Sequence, residues 1–131
     1  MLPSVAAVTL PDFSEGERAV KAFRGAGIPL RYAFWGYFGD SREYRLVLPT
    51  DTVERRGPIA VYADIQKALS ANKVKIPLSL ITLARYAEPL GQLGLNALHM
   101  AKPFTTTSTG GGSLVSNEAL GVTVDTRHVY P

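Results

Sequence analysis

Asp125, Arg127 and His128 bring an acid, a cation and an imidazole together within "DTRHVYP". A carboxylate beside an imidazole can orient the ring and stabilise its charged form, which is the basis of general acid–base catalysis. The spacing works against that use. In a strand, Asp125 and Arg127 face one side while His128 and Tyr130 face the other, so partners would have to come from elsewhere in the chain. Ser108, Ser113 and Ser116 are potential nucleophiles, but none lies in the G-x-S-x-G turn that exposes a hydrolase serine. Asp125, Arg127 and His128 are therefore the candidates if the protein is a small enzyme with a site near its last strand.

The stretch "TTTSTGGGSLVSN" (105–117) is the next place where chemistry could sit. A P-loop needs a lysine after its last glycine, and a dinucleotide fold needs G-x-G-x-x-G opening a helix. No lysine follows Gly110, Gly111 and Gly112, and what comes after Asn117 reads as another strand, not a helix. Backbone amides of a glycine turn can still hold an anion, but the composition predicts a flexible loop. The two histidines show no metal-ligand spacing, and His99 is accounted for at a helix C-terminus. Asp51 and Glu54 read as solvated carboxylates. No cofactor and no metal are expected.

Aromatic residues and cations converge on a hairpin. Leu30–Phe38 and Glu43–Pro49 are rich in aromatic and branched side chains and flank the turn formers Gly39, Asp40 and Ser41. Alternation puts Arg31, Ala33, Trp35 and Tyr37 on one side of the first strand, and Arg45 is assigned to the same face of the hairpin. With Arg55 and Arg56 nearby, Arg31, Trp35, Tyr37 and Arg45 form the candidate binding set. Three uses are open. A helix could cover the face as core, another protein could dock on it, or single-stranded nucleic acid could stack there.

The elements that position these residues follow from periodicity. Ser14 and Glu17 form a capping box, and Ala19, Val20, Phe23 and Ala26 give a helical stripe that stops at Gly25 and Gly27. "TDTVERRGP" reads as a loop. Pro58 then starts a helix with Ile59, Tyr62, Ile65 and Leu69 inward and Asn72 at its end. "IPLSLITLA" reads as a third strand, and a short helix weakened by Gly91 and Gly94 follows Pro89. "KPFTTTST" and "LGVTVDTRHVY" complete the set as strands. This order predicts an α+β single domain over 1–131, with two to three helices on one face of a mainly antiparallel sheet of about five strands. Residues 1–12 are expected to be a loose N-terminal segment.

Composition sets the outer bounds. The chain has 131 residues, 46% hydrophobic and 19% charged, and a net charge of +3. That describes one globular domain with no dense basic cluster. The absence of cysteine excludes thiol catalysis, zinc–thiolate ligation and disulfides, and fits a reducing compartment. The longest uncharged apolar runs are about half a bilayer span, and the N-terminus lacks a positive n-region. A cytoplasmic protein with no membrane contact is expected.

Three stretches, "GIPLRYAFWGYFGDSREYRLVLPT", "GPIAVYADIQKAL" with "IPLSLITLA", and "LGVTVDTRHVYP", together resemble a group of small bacterial single-domain proteins with no assigned activity. The resemblance implies a bacterial or mobile-element origin and one α+β domain, and it transfers no functional residue. The leading functional expectation is a non-enzymatic protein-interaction module that binds a protein partner or itself through a sheet face or edge. The alternatives are a nucleic-acid-associated protein using the aromatic–basic face, and the small enzyme introduced above.

Overall fold

The aromatic hairpin lies inside the sheet rather than at its rim. In the computed structural model, which describes residues 11–101 and 114–131, β1 (Ala33–Phe38) and β2 (Glu43–Pro49) pair antiparallel, with Trp35 opposite Leu46 and Tyr37 opposite Tyr44. β5 (Val122–Tyr130) pairs antiparallel with the other side of β1, and β4 (Leu114–Asn117) with β5. β3 (Ile81–Ala84) runs parallel to β2, and the strand order is β3-β2-β1-β5-β4. A parallel pair needs a crossover. It is supplied by α2 (Thr52–Arg56) and α3 (Pro58–Ala71). The protein is a single α+β domain with one mixed, mainly antiparallel sheet.

Helix α1 (Phe13–Gly25) is capped two residues before the expected Ser14. Asp12 is its N-cap and accepts the Glu15 backbone N–H at 3.0 Å. Ser14 lies inside the first turn because Asp12 already satisfies the amide. Glu15 turns instead to Arg18 and to the Lys75 backbone N–H. The predicted loop before Pro58 contains the short helix α2. Within α3 the buried stripe is Val61, Ile65, Ala68 and Leu69, while Ile59 is 86% exposed and Tyr62 half-buried. The expected third strand is shortened, since Leu78–Leu80 form a 3-10 turn. Leu114–Asn117, expected within a flexible loop, form β4. The expectations for 1–10, 105–113 and the "KPFTTTST" strand fall outside the described residues.

The helices occupy both faces, not one. α1 and α3 pack over Ala33, Trp35, Leu46 and Leu48, whereas α4 (Pro89–Ala101) packs over Phe34, Val47, Val122 and Val124. The reason is visible in β1, where Ala33, Phe34 and Trp35 are all buried. A strand with large apolar side chains on both sides must be covered on both, at about 1.5–3 kcal/mol for each large apolar side chain taken from water. The two glycines of α4 make this approach possible. A Cβ on Gly94 would overlap the Phe34 ring, and one on Gly91 would overlap the Arg85 carbonyl. The Gly91 carbonyl itself accepts the Tyr32 hydroxyl at 2.7 Å. None of the described helices is long and apolar enough to cross a membrane.

Gly94→Ala should lower unfolding stability by about 1–3 kcal/mol through overpacking against Phe34. Gly25→Ala, where no atom lies near the added methyl, should leave stability unchanged or raised. Urea midpoints of the two variants check the pair.

Candidate interaction surface

The proposed aromatic–basic platform does not assemble. Trp35 is 2% exposed. Its Nε1–H donates to the Tyr130 hydroxyl at 2.9 Å, and that hydroxyl donates to the Phe13 carbonyl at 2.7 Å. The Phe13 ring meets the indole edge-on, at 6.3 Å and 83°. Gly16 permits the arrangement, because a Cβ there would collide with both the Tyr130 hydroxyl and the Trp35 nitrogen. The first turn of α1 therefore seals this side of Trp35, and the covered-core alternative describes it.

The remaining members of the set scatter. Tyr37 is half-buried and tilts against Tyr44 at 5.2 Å. Arg45 lies on the opposite face, because Gly36, not Trp35 or Tyr37, is its partner across the hairpin. Its guanidinium pairs with Glu43 at 2.7 Å and sits 5.2 Å from the Phe38 ring centroid. Arg31 precedes β1 and stacks 4.9 Å over Tyr86. Arg56 is ion-paired with Asp64. Only Arg31 and Arg55 are brought together, at a cleft of about 350 Å³ that also holds Thr50, Asp51 and Tyr86.

The acid–imidazole candidates sit on a bulge. Phe34 faces Val129 and Gly36 faces Val124, so two steps along β1 match five along β5. Asp125, Thr126, Arg127 and His128 occupy the excess, which is why Val124 and Val129 both reach the α4 side despite their odd separation. Strict alternation does not anticipate this. Asp125 accepts the Arg127 backbone N–H at 2.9 Å and its guanidinium at 2.6 Å. These contacts hold its carboxyl below the usual range. His128 stacks on Phe13 at 3.7 Å and 18°. Its buried Nδ1 has no hydrogen-bond partner among the described residues. Burial lowers the imidazole pKa and Arg127 lowers it further, with the Asp125 charge opposing. The residues are neighbours, but the carboxylate is engaged by Arg127 and the ring lies against a phenyl group. Ser116 is bonded to Thr123 at 3.0 Å, while Ser108, Ser113 and the three glycines lie outside the described residues.

The two edges of the sheet are treated differently. The outer edge of β3 is closed by Tyr62, whose hydroxyl donates to the Ile81 carbonyl and accepts the Leu83 N–H, each at 3.4 Å. One side chain thus stands in for a neighbouring strand. Among the described residues nothing pairs with the outer edge of β4. Its sequence, Leu-Val-Ser-Asn, contains no lysine, no proline and no charge, the usual devices that blunt an edge. Leu114 is 70% exposed there, and Met100, near the end of α4, is 54% exposed. Sequence reasoning missed this asymmetry because Leu114–Asn117 follow glycines and read as loop.

Tyr130→Phe should cost about 1–3 kcal/mol, since it strips the buried Trp35 N–H and the Phe13 carbonyl of their shared partner. His128 should make stability pH-dependent. Its folded pKa lies below the unfolded value of about 6.5, so the unfolded chain binds the extra proton first. Stability is then complete above that value and falls as the pH drops towards the folded pKa. His128→Phe, which retains an aromatic ring against Phe13, should flatten the slope of unfolding free energy over that window.

None of the protein-family models, curated proteins or solved structures compared matches this chain, so its fold and surfaces are read from its own residues alone.

Proposed function

We propose that this chain is a non-enzymatic protein-interaction domain that assembles through the outer edge of β4, with a second copy of itself as partner. The observation that carries the reading is the contrast between the edges: β3 is closed by the Tyr62 hydroxyl, whereas β4 is uncharged, meets no further strand among the described residues and carries the exposed Leu114. An edge offered to an identical edge is self-complementary under a two-fold axis. Antiparallel β4–β4 pairing would continue each five-stranded sheet into the other. Each backbone bond gained contributes about 0.5–1.5 kcal/mol net, and covering Leu114 contributes further. A four-residue strand supports only a modest, reversible association.

The alternatives have less behind them. Trp35 presents no open face for stacking a base, and Arg18, Arg45, Arg56, Arg85 and Arg127 each have a carboxylate partner. For the enzyme reading, Asp125 is committed to Arg127, and the cleft beside Arg31 and Arg55 is not lined by Asp125, Arg127 or His128. A cytoplasmic setting in a bacterium belongs to the same proposal.

Sedimentation equilibrium across a wide concentration range should show a monomer–dimer equilibrium. Leu114→Lys, which places like charges at the shared edge, should weaken the dimer at least tenfold, on the order of 1.4 kcal/mol. Ile59→Lys, at the most exposed large apolar side chain among the described residues, should leave it unchanged. A chain that stays monomeric at millimolar concentration, or a dimer indifferent to Leu114→Lys, would contradict the proposal.

A further inference from the structure

A second surface is independent of the β4 edge. The first turn of α1, the β1–β2 turn and the segment entering β3 enclose a cleft of about 690 Å³. That volume is in the range of small-molecule sites, about 300–1,000 Å³. Its apolar lining comes from Tyr44, Ile76 and Leu80, with the buried Trp35 beneath them. Trp35 is fixed there, because its N–H is held by Tyr130 on the far side.

The charges around this lining are unequally committed. All three carboxylates have partners: Asp12 caps α1, Glu15 pairs with Arg18 at 2.6 Å, and Glu43 pairs with Arg45 at 2.7 Å. Arg42 and Lys75 also line the cleft, and neither side chain has an ion-pair partner among the described residues. Arg42 moreover holds a left-handed backbone, φ 55°, which favours glycine over a residue with a side chain. An arginine thus occupies a turn position where glycine would be less strained, and it borders the cleft.

We infer that this cleft is a binding site for a small aromatic carboxylate, with the ring on the part-exposed Tyr44 and Leu80 above the buried Trp35, and the carboxylate between Arg42 and Lys75. The apolar lining supplies contact area, and the two uncommitted cations supply charge-assisted bonds to the anion. An uncharged analogue of the same shape would leave both cations without a partner, so the site discriminates by charge.

Trp35 is the only tryptophan in the chain, so a single indole N–H resonance reports on the lining. Titration of the full chain with 2-naphthoate should move that resonance saturably, and 2-naphthylmethanol should bind at least about fivefold more weakly. Arg42→Gly, which relieves the turn, should keep the fold and the thermal midpoint while weakening naphthoate binding by a similar factor. Lys75→Gln should do the same. An indole resonance unmoved up to the solubility limit would overturn the site. Equal binding of the alcohol, or undiminished binding by both variants, would overturn the assignment of an anionic ligand.

Discussion

The structure depends on one constraint: β1 is apolar on both sides and must be buried on both. Phe34 and Trp35 are adjacent in sequence and point to opposite faces, so each needs its own cover. The α1–α3 pair meets one requirement and α4 meets the other. The rest of the architecture follows. The sheet must place β1 centrally, with β2 and β5 as neighbours. The parallel strand β3 then lies beyond β2, reached by the crossover through α3. Gly94 is kept in a helix, against its propensity, because the Phe34 ring occupies the space where a side chain would start.

The last strand fastens this arrangement. Tyr130 comes 95 residues after Trp35 and 117 after Phe13, and its hydroxyl joins them. Burial pushes that phenol up to about 12, so it remains a neutral donor throughout the ordinary pH range. The bulge at 125–128 makes the connection possible, because it resets the strand's alternation before Tyr130 and brings His128 onto Phe13. A stretch that looks catalytic as a string of residues also closes the fold. Its acid and base are held by an internal ion pair and a ring stack.

Much of the fold is legible in the sequence because its signals are local. The hairpin, the helix beginning at Pro58 and ending at Asn72, and the final strand each carry their own turn or cap chemistry. Two kinds of information are not local. One is register: Arg45 appears to join Trp35 until the cross-strand partner is known, and a shift of one residue moves a side chain to the other face. The other is two-sided burial, since alternating large apolar residues look like one core face and one functional face when both are core. The edge contrast is equally hidden. Tyr62 reads as part of a buried helical stripe, and only the fold shows its hydroxyl lying along β3. Leu114–Asn117 read as loop because glycines precede them, and pairing with β5 makes them a strand.

Among the described residues, one edge of this sheet is closed by Tyr62 and the other meets no strand, and the proposed occupant of that open edge is a second copy of the chain. Residue-resolved amide hydrogen exchange, followed from dilute to concentrated protein, tests it most directly. The Leu83 amide should be protected at every concentration by the Tyr62 hydroxyl. The outward-pointing amides of β4 should exchange freely in dilute solution and gain protection as the protein is concentrated. Protection of those β4 amides that is already complete at the lowest concentration, or a Leu83 amide that exchanges freely, would contradict the account.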